Sequence, residues 1–539
     1  MDKVLLLDTT LRDGTQSEGV SLTVSDKLRI AQKLDYLGVA YIEGGFPSAN
    51  PKDQEFFRRA LDELDLENAK LVAFGSTRRP STTAAEDEGV KALLQSGAPA
   101  LTIVGKSWDF HVHEALRIEL DANLAMISDT ISWLKNNGRE VIFDAEHFFD
   151  GFIHNRDYAL ATLRAAADAG ADWVTLCDTN GGTMPYQIAE IVREVKKEIG
   201  AKIGIHAHND CELGVANTLS AVMEGATMVH GTINGIGERC GNANLASIIP
   251  NLELKLGRSC LPSAEHLARL TETSRYVCEV ANLVPHSHQP FVGQSAFAHK
   301  GGIHVSAILR DPDTYEHINP EKVGNTRRVL VSELAGLSNL QHRANSLGLD
   351  VKDKTEAVRE LLQDIKKLEH EGYQFEGAEA SQELLLIKAL GGYKELFSID
   401  SMRVVEVQSS QFGSSSEAII RLMVDGESVH AVADGNGPVN ALDNALRKAI
   451  LPYFPIIETM HLTDYKVRVL GEKDGTAAKV RVLIESTNGS AVWCTVGVSE
   501  NVVRASWEAL VDSMDYFLLC VAKQGNTELA NAKSAARDS

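Results

Sequence analysis

The chain has 539 residues, 44% hydrophobic and 24% charged, an ordinary globular composition with enough apolar material for more than one core. Its 53 basic residues face 74 acidic ones, a formal net charge of -21. That balance excludes a general nucleic-acid binder and docking on an anionic membrane, so an anionic substrate has to meet a local positive site.

From the N-terminus, short apolar runs alternate with amphipathic helices over residues 1–260. The runs at 4–10, 40–44, 70–75, 100–104, 140–145, 173–178, 203–208 and 227–233 read as strands. Between them, 25–37, 157–169, 186–199 and 214–223 carry helical periodicity. Such alternation predicts an α/β fold, a parallel (β/α)8 barrel, with an open doubly wound sheet as the structural alternative. In a barrel the chemistry sits at the C-terminal strand ends.

The unusual polar residues fall at those ends. Arg12 and Asp13 follow the first strand, Glu43 ends the second, and Glu146 and His147 follow the fifth. Asp178 and Thr179 close the sixth, His206 and His208 the seventh, and Glu238 to Asn242 follow the eighth. Residues two apart on a strand share a side, so His206 and His208 present two imidazoles to one space, to which Asp13 adds a carboxylate. Two His and one carboxylate make a divalent-metal site with open positions. Taken singly, an Arg-Asp-Gly is usually a turn and a His-x-His usually a packing feature. Six polar strand ends on one rim overturn that reading. Cys211 and Cys240 lie near this site as structural neighbours, since a hard oxygen-binding metal does not favour thiols.

Residues 261–395 read as helical and irregular, with amphipathic helices at 264–283 and 354–370 and a His/Gly segment from Phe297 to His304. Residues 396–525 repeat a β-hairpin-plus-helix unit: strands in 416–432 with a helix at 439–451, then strands in 479–498 with a helix at 501–519. Ser499 is the expected cap of the last helix. This small domain carries no evident catalytic set and suits an effector, a dimer contact, or both. Residues 526–539 are polar and Ala-rich, which predicts a disordered tail. No run of about twenty apolar residues marks a membrane span, and no basic leader precedes the short run Val4 to Leu7. Seven scattered cysteines without a CxxC pair fit free thiols in a reducing cytoplasm.

The segments DTTLRDGTQ (8–16), IEGGFP (42–47), LCDTNGG (176–182), HAHND (206–210), GERCGNANL (237–245), AHKGGIHVSAI (298–308) and DPDTYEHI (311–318) together resemble one family. It is the Claisen-type acyl-CoA condensing enzymes of the TIM-barrel metallolyase superfamily: isopropylmalate, homocitrate and citramalate synthases. The likeness covers nearly the whole chain, including the duplicated domain, which looks like this family's allosteric domain. DAEHFFDGF (144–152) and GYQFEGAEAS (372–381) resemble the citramalate branch, with the isopropylmalate branch as its rival.

The resemblance implies Mg2+, Mn2+ or Zn2+ on Asp13, His206 and His208, with Asn242 as a fourth ligand. It implies pyruvate and acetyl-CoA as substrates. Arg12 would contact the keto oxygen, Glu43 would orient Arg12, and Glu146 and Thr179 would hold pyruvate. His304 would take the acetyl methyl proton, assisted by Tyr315 and Glu238, reaching the site from its own or the other subunit of a homodimer. Isoleucine is the implied effector. A hydroxy-acyl lyase or aldolase on the same barrel, and a non-haem iron oxygenase, are competing readings. The duplicated domain favours a synthase over a lyase, and Arg12 beside the metal is unexplained in an oxygenase. A non-enzymatic scaffold leaves the polar rim without a purpose.

Overall fold

A computed structural model describes residues 3–330, 337–349, 354–391, 393–409, 413–470 and 478–521. Eight parallel strands form a closed barrel. They are β1 (Leu5–Asp8), β2 (Tyr41–Gly45), β3 (Lys70–Ser76), β4 (Ala100–Lys106), β5 (Glu140–Glu146), β6 (Trp173–Asp178), β7 (Lys202–Ala207) and β8 (Met228–Gly231). β8 pairs back onto β1, with Leu5 opposite Met228 and Asp8 opposite Gly231, so no edge is left and the open-sheet alternative fails. Three strands, β1, β7 and β8, stop earlier than the apolar pattern implies, while β2 to β5 run one or two residues further. Thr9 and Thr10 lie beyond β1, and His208 lies beyond β7 in an isolated bridge to Asn242.

The strands are buried on both faces, which is why they read as continuous apolar runs rather than alternating ones. Inside, Leu7, Tyr41, Val72, Ala100, Ile142, Trp173 and Met228 pack as one layer. Burying each large member stabilises the barrel by about 1.5–3 kcal/mol. With this layer filled by apolar side chains, the polar groups of the barrel lie beyond it, toward the strand C-termini. The surrounding helices start where capping chemistry allows. Thr23 and Asp26 form a reciprocal capping box for Val24–Leu37, and Pro51 and Pro185 occupy first-turn positions.

The expected helix at 264–283 is interrupted: Ala264–Leu267 and Leu270–Val280 are separate. Leu261, Leu267, Leu270 and Val277 belong to the same core as the barrel. The chain divides into two compact units. The first holds the barrel and the segment through Phe297, with His317–Arg327 returning to it; the second holds Ala298–Glu316 and the described residues from Arg328 onward.

In the second unit the duplicated element is a three-stranded antiparallel sheet, not the two-stranded hairpin read from the sequence. The sheets are β9 (Phe397–Ser409), β10 (Gly413–Val424), β11 (Glu427–Gly435) and then β12 (His461–Leu470), β13 (Lys479–Thr487), β14 (Val492–Ser499). β12 escaped notice because its valines face outward: Val467 is 46% and Val469 62% exposed. Each sheet is followed by a helix, Pro438–Ile450 and Val502–Tyr516. The cap of the last helix is Asn501, which accepts from Val503 and Arg504 N–H, rather than Ser499. Ser499 ends β14, and its Oγ accepts the Asn501 N–H at 3.2 Å. The expected tail, 526–539, lies outside the described residues. Among those residues no helix is long and apolar enough to cross a membrane.

Candidate active site and metal centre

The site begins with the turn after β1. Asp8 accepts from Thr10 through both carboxylate oxygens, at 2.9 Å from N–H and 3.0 Å from Oγ1. Arg12 and Gly14 donate their N–H groups to Thr9 O. This tight turn delivers Arg12 and Asp13 onto the rim. Burial pushes the Asp8 carboxyl up to about 7, partly offset by its Thr10 hydrogen bonds.

Arg12 is clamped from three directions. Its Nε donates to Glu43 Oε2 at 2.6 Å, Nη1 lies 3.5 Å from Asp13 Oδ2, and the guanidinium sits 4.0 Å from the Phe74 ring centroid. Glu43 is fully buried, and a buried carboxylate needs such a partner.

Asp13, His206 and His208 each offer one ligand atom, all within 4.8 Å of one another. His206 Nε2 lies 3.3 Å from Asp13 Oδ2 and 3.4 Å from His208 Nε2, so both rings turn the same nitrogen to one point. Burial alone would raise the Asp13 carboxyl, but Arg12 and the two imidazoles outweigh it and hold the group far below its ordinary range. Burial, helped by the charge of His206, pulls His208 down to about 4 and keeps it neutral. Asn242 is 1% exposed. Its Nδ2 donates to Ile236 O at 3.4 Å, while Oδ1 is buried with no partner. An ionised carboxylate, a neutral imidazole and an unpaired amide oxygen fit a divalent cation that accepts nitrogen and oxygen donors.

The neighbouring strand ends complete the rim. Glu146 ends β5 and pairs with Lys106 at the end of β4. The next residue, His147, adopts a left-handed conformation (φ 55), which turns its N–H onto Thr179 Oγ1 at 2.9 Å. With that acceptor site filled, the Thr179 hydroxyl proton remains free to donate. The loop bearing Glu238 is tied down by Arg239, which donates to both Asp210 oxygens at 2.7 and 2.8 Å and to Thr179 O at 2.7 Å. Gly241 (φ 88) is required in this loop, because a Cβ there would lie 1.9 Å from Gly235 O.

A pocket of about 450 Å3 opens on this rim, lined by Arg12, Asp13, Glu146, Thr179, His206, His208 and Glu238 among others. Glu43 lies behind Arg12, and Asn242 is bridged to His208. His304 and Tyr315 belong to the second unit, where their rings stack with centroids 4.2 Å apart. Cys211 and Cys240 are exposed free thiols.

The family description "HMGL-like" matches residues 3–277, "Homocitrate synthase post-HMGL domain-like" matches 291–373, and "LeuA allosteric (dimerisation) domain" matches 376–518. The chain is 54% identical to the (R)-citramalate synthase of Aquifex aeolicus over 97% of its own length and 99% of the relative's. It is 55% identical to that of Geobacter sulfurreducens over 96% and 98%.

The chain belongs to the (R)-citramalate synthase family.

In this family member, several pocket residues escaped the sequence reading: Phe74, Val104, Asp144 and Cys177. Each sits inside an apolar run, where a lone aromatic, acid or thiol carries no periodic signal. His230 likewise sits inside the run of β8 and is fully buried. Lys106 was readable as the polar end of β4.

Proposed function

We propose that this enzyme condenses acetyl-CoA with pyruvate and hydrolyses the resulting thioester, giving (R)-citramalate and CoA. The observation that carries this reading is the convergence of Asp13, His206 and His208 beside the Glu43-clamped Arg12. The names of the full-length relatives support it.

The new carbon–carbon bond joins the acetyl methyl carbon to the keto carbon of pyruvate. A divalent cation on Asp13, His206, His208 and Asn242 would supply Lewis acidity and orient the keto acid. Arg12 donates to the keto oxygen and stabilises the negative charge that develops there, with Glu43 and Phe74 fixing its plane. Thr179 donates its free hydroxyl proton to the substrate carboxylate, and Glu146 with Lys106 bounds that side. The acetyl methyl is a weak acid and needs a base. We assign that role to His304, with Tyr315 and Glu238 assisting. Water then cleaves the thioester, releasing the CoA thiol.

The family match over 376–518 supports regulation and a homodimer through the second unit. We assign isoleucine as the effector. A pocket of about 670 Å3 in that unit is lined by Asp443, Arg447, Glu458 and Tyr465, with Arg447 paired to Asp443 at 3.0 Å. Equal activity across a wide range of isoleucine concentrations would contradict this assignment. Among the described residues no cysteine is in a disulfide, which agrees with a cytoplasmic enzyme.

The test is thiol release requiring acetyl-CoA, pyruvate and a divalent ion together. Release from acetyl-CoA alone would contradict condensation.

A further inference from the structure

Beneath the metal ligands lies a second polar group in the barrel interior: Asp144 on β5, Thr175 on β6, His206 on β7 and His230 on β8. All are 5% exposed or less. One carboxylate oxygen of Asp144 and one ring nitrogen from each of His206 and His230 lie within 4.8 Å of one another. His230 Nδ1 is 3.8 Å from Asp144 Oδ1, and the His206 and His230 rings meet edge to face at 5.6 Å. On its other side His230 Nε2 lies 3.4 Å from Thr175 Oγ1. Thr175 has room because its neighbour on β7 is Gly204, where a Cβ would lie 2.7 Å from Thr175 Oγ1.

Three atoms of this group, Asp144 Oδ1, His206 Nδ1 and His230 Nδ1, are buried without a hydrogen-bond partner. Orphaned buried polar atoms are costly, so their clustering calls for a function. His206 turns Nε2 toward Asp13 and His208. When Nε2 binds a metal, the ring's one proton must sit on Nδ1. A ligating histidine holds its orientation by donating that N–H to a carboxylate or carbonyl. Asp144 is the carboxylate of this second group, with an oxygen within 4.8 Å of a His206 ring nitrogen and unpartnered like His206 Nδ1.

We propose that Asp144, braced by His230 and Thr175, is the positioning residue for His206: it accepts the Nδ1–H and so sets the orientation and metal affinity of that ligand. The same cluster does not serve a second ion alongside the first, since His206 would then have to give up its N–H to coordinate through both nitrogens. The inference rests on the reading of Asp13, His206 and His208 as metal ligands.

The experiment measures Mn2+ affinity and stoichiometry of the full-length protein by the electron paramagnetic resonance of free Mn2+. The parent is compared with Asp144→Ala, Asp144→Asn and Trp173→Leu, alongside the melting temperature of each metal-free protein. Asp144→Ala is expected to weaken binding roughly 10–100-fold. Asp144→Asn keeps an acceptor but loses the charge, so its affinity should fall between the two. Trp173→Leu, in the apolar layer, should lower the melting temperature and leave affinity within about twofold, showing that destabilisation alone does not mimic the effect. Affinity within about twofold of the parent in either Asp144 variant would overturn the positioning role. Two Mn2+ per parent chain, with one lost in Asp144→Ala, would also overturn it and make the cluster a second metal site. A parent that binds no Mn2+ would instead remove the metal reading on which the inference stands.

Discussion

Arg12 Nε donates to Glu43 Oε2 across 2.6 Å while the guanidinium lies 4.0 Å from the Phe74 ring centroid. A hydrogen bond in the plane and an aromatic face below it leave the guanidinium one orientation. Nη1 then lies on the metal side of the pocket, 3.5 Å from Asp13 Oδ2. Arg12→Lys keeps the charge but loses the fork and the stacking. It is expected to lower kcat about 100–1,000-fold with Mn2+ affinity little changed. Steady-state kinetics beside metal titration checks this; a kcat within about threefold of the parent would remove Arg12 from the chemistry.

Thr179 accepts from the His147 N–H and so has its proton to give. Thr179→Val keeps the shape but removes that donor, and with it the acceptor of the His147 N–H. The expected loss is about 10–100-fold in kcat/KM for the keto acid, the worth of a hydrogen bond to a charged group, with acetyl-CoA KM unchanged. Thr179→Ser should restore most of it.

Chelation should abolish turnover, and Mg2+, Mn2+ or Zn2+ added back in turn should reveal which ion restores it. Asn242→Ala removes the unpaired amide oxygen and should weaken metal binding about tenfold while leaving the fold intact. Isothermal titration of the chelated protein measures this directly.

The rim residues were legible because polar side chains at the ends of apolar strands violate the pattern around them. Asp13, His206 and His208 stood out for that reason. Asp144 and His230 did not, although both are equally polar, because each lies within a run that the barrel buries on all sides. Only the register of β5 to β8 brings them to His206. The barrel followed from eight apolar runs, but β12 was missed because its valines face outward. Ser499 and Asn501 are both good caps, and only the strand end at Ser499 decides between them.

His304 and Tyr315 stack within the second unit. If His304 takes the methyl proton, His304→Asn in the full chain should reduce thiol release about 100-fold or more while Mn2+ binding stays intact. Solvent deuterium exchange into the acetyl-CoA methyl group should be lost with it. Retained exchange would place the base elsewhere.

Asp512 accepts from Ser381 Oγ at 2.8 Å, and burial pushes its carboxyl up to about 6. The folded state therefore holds this proton more tightly than the unfolded chain, whose value is near 3.9. Its effect on stability is neutral below about pH 4 and becomes a growing penalty as pH rises toward 6. Because the residue is partly open to solvent, the total is about 1–2 kcal/mol. Asp512→Asn should flatten that slope in urea denaturation followed at tryptophan, including Trp493 of the same unit. A slope unchanged by the substitution would reject this origin.

The most direct measurement is kcat/KM for CoA-thiol release from acetyl-CoA with pyruvate, 2-ketoisovalerate and 2-ketoglutarate, in the same buffer and with the same divalent ion. A methylene in such a pocket is worth only about 1–3 kcal/mol, so the comparison has to be quantitative. Pyruvate should lead by about tenfold or more, with citramalate as the product. Preference for 2-ketoisovalerate, or no thiol release with any of the three, would contradict it.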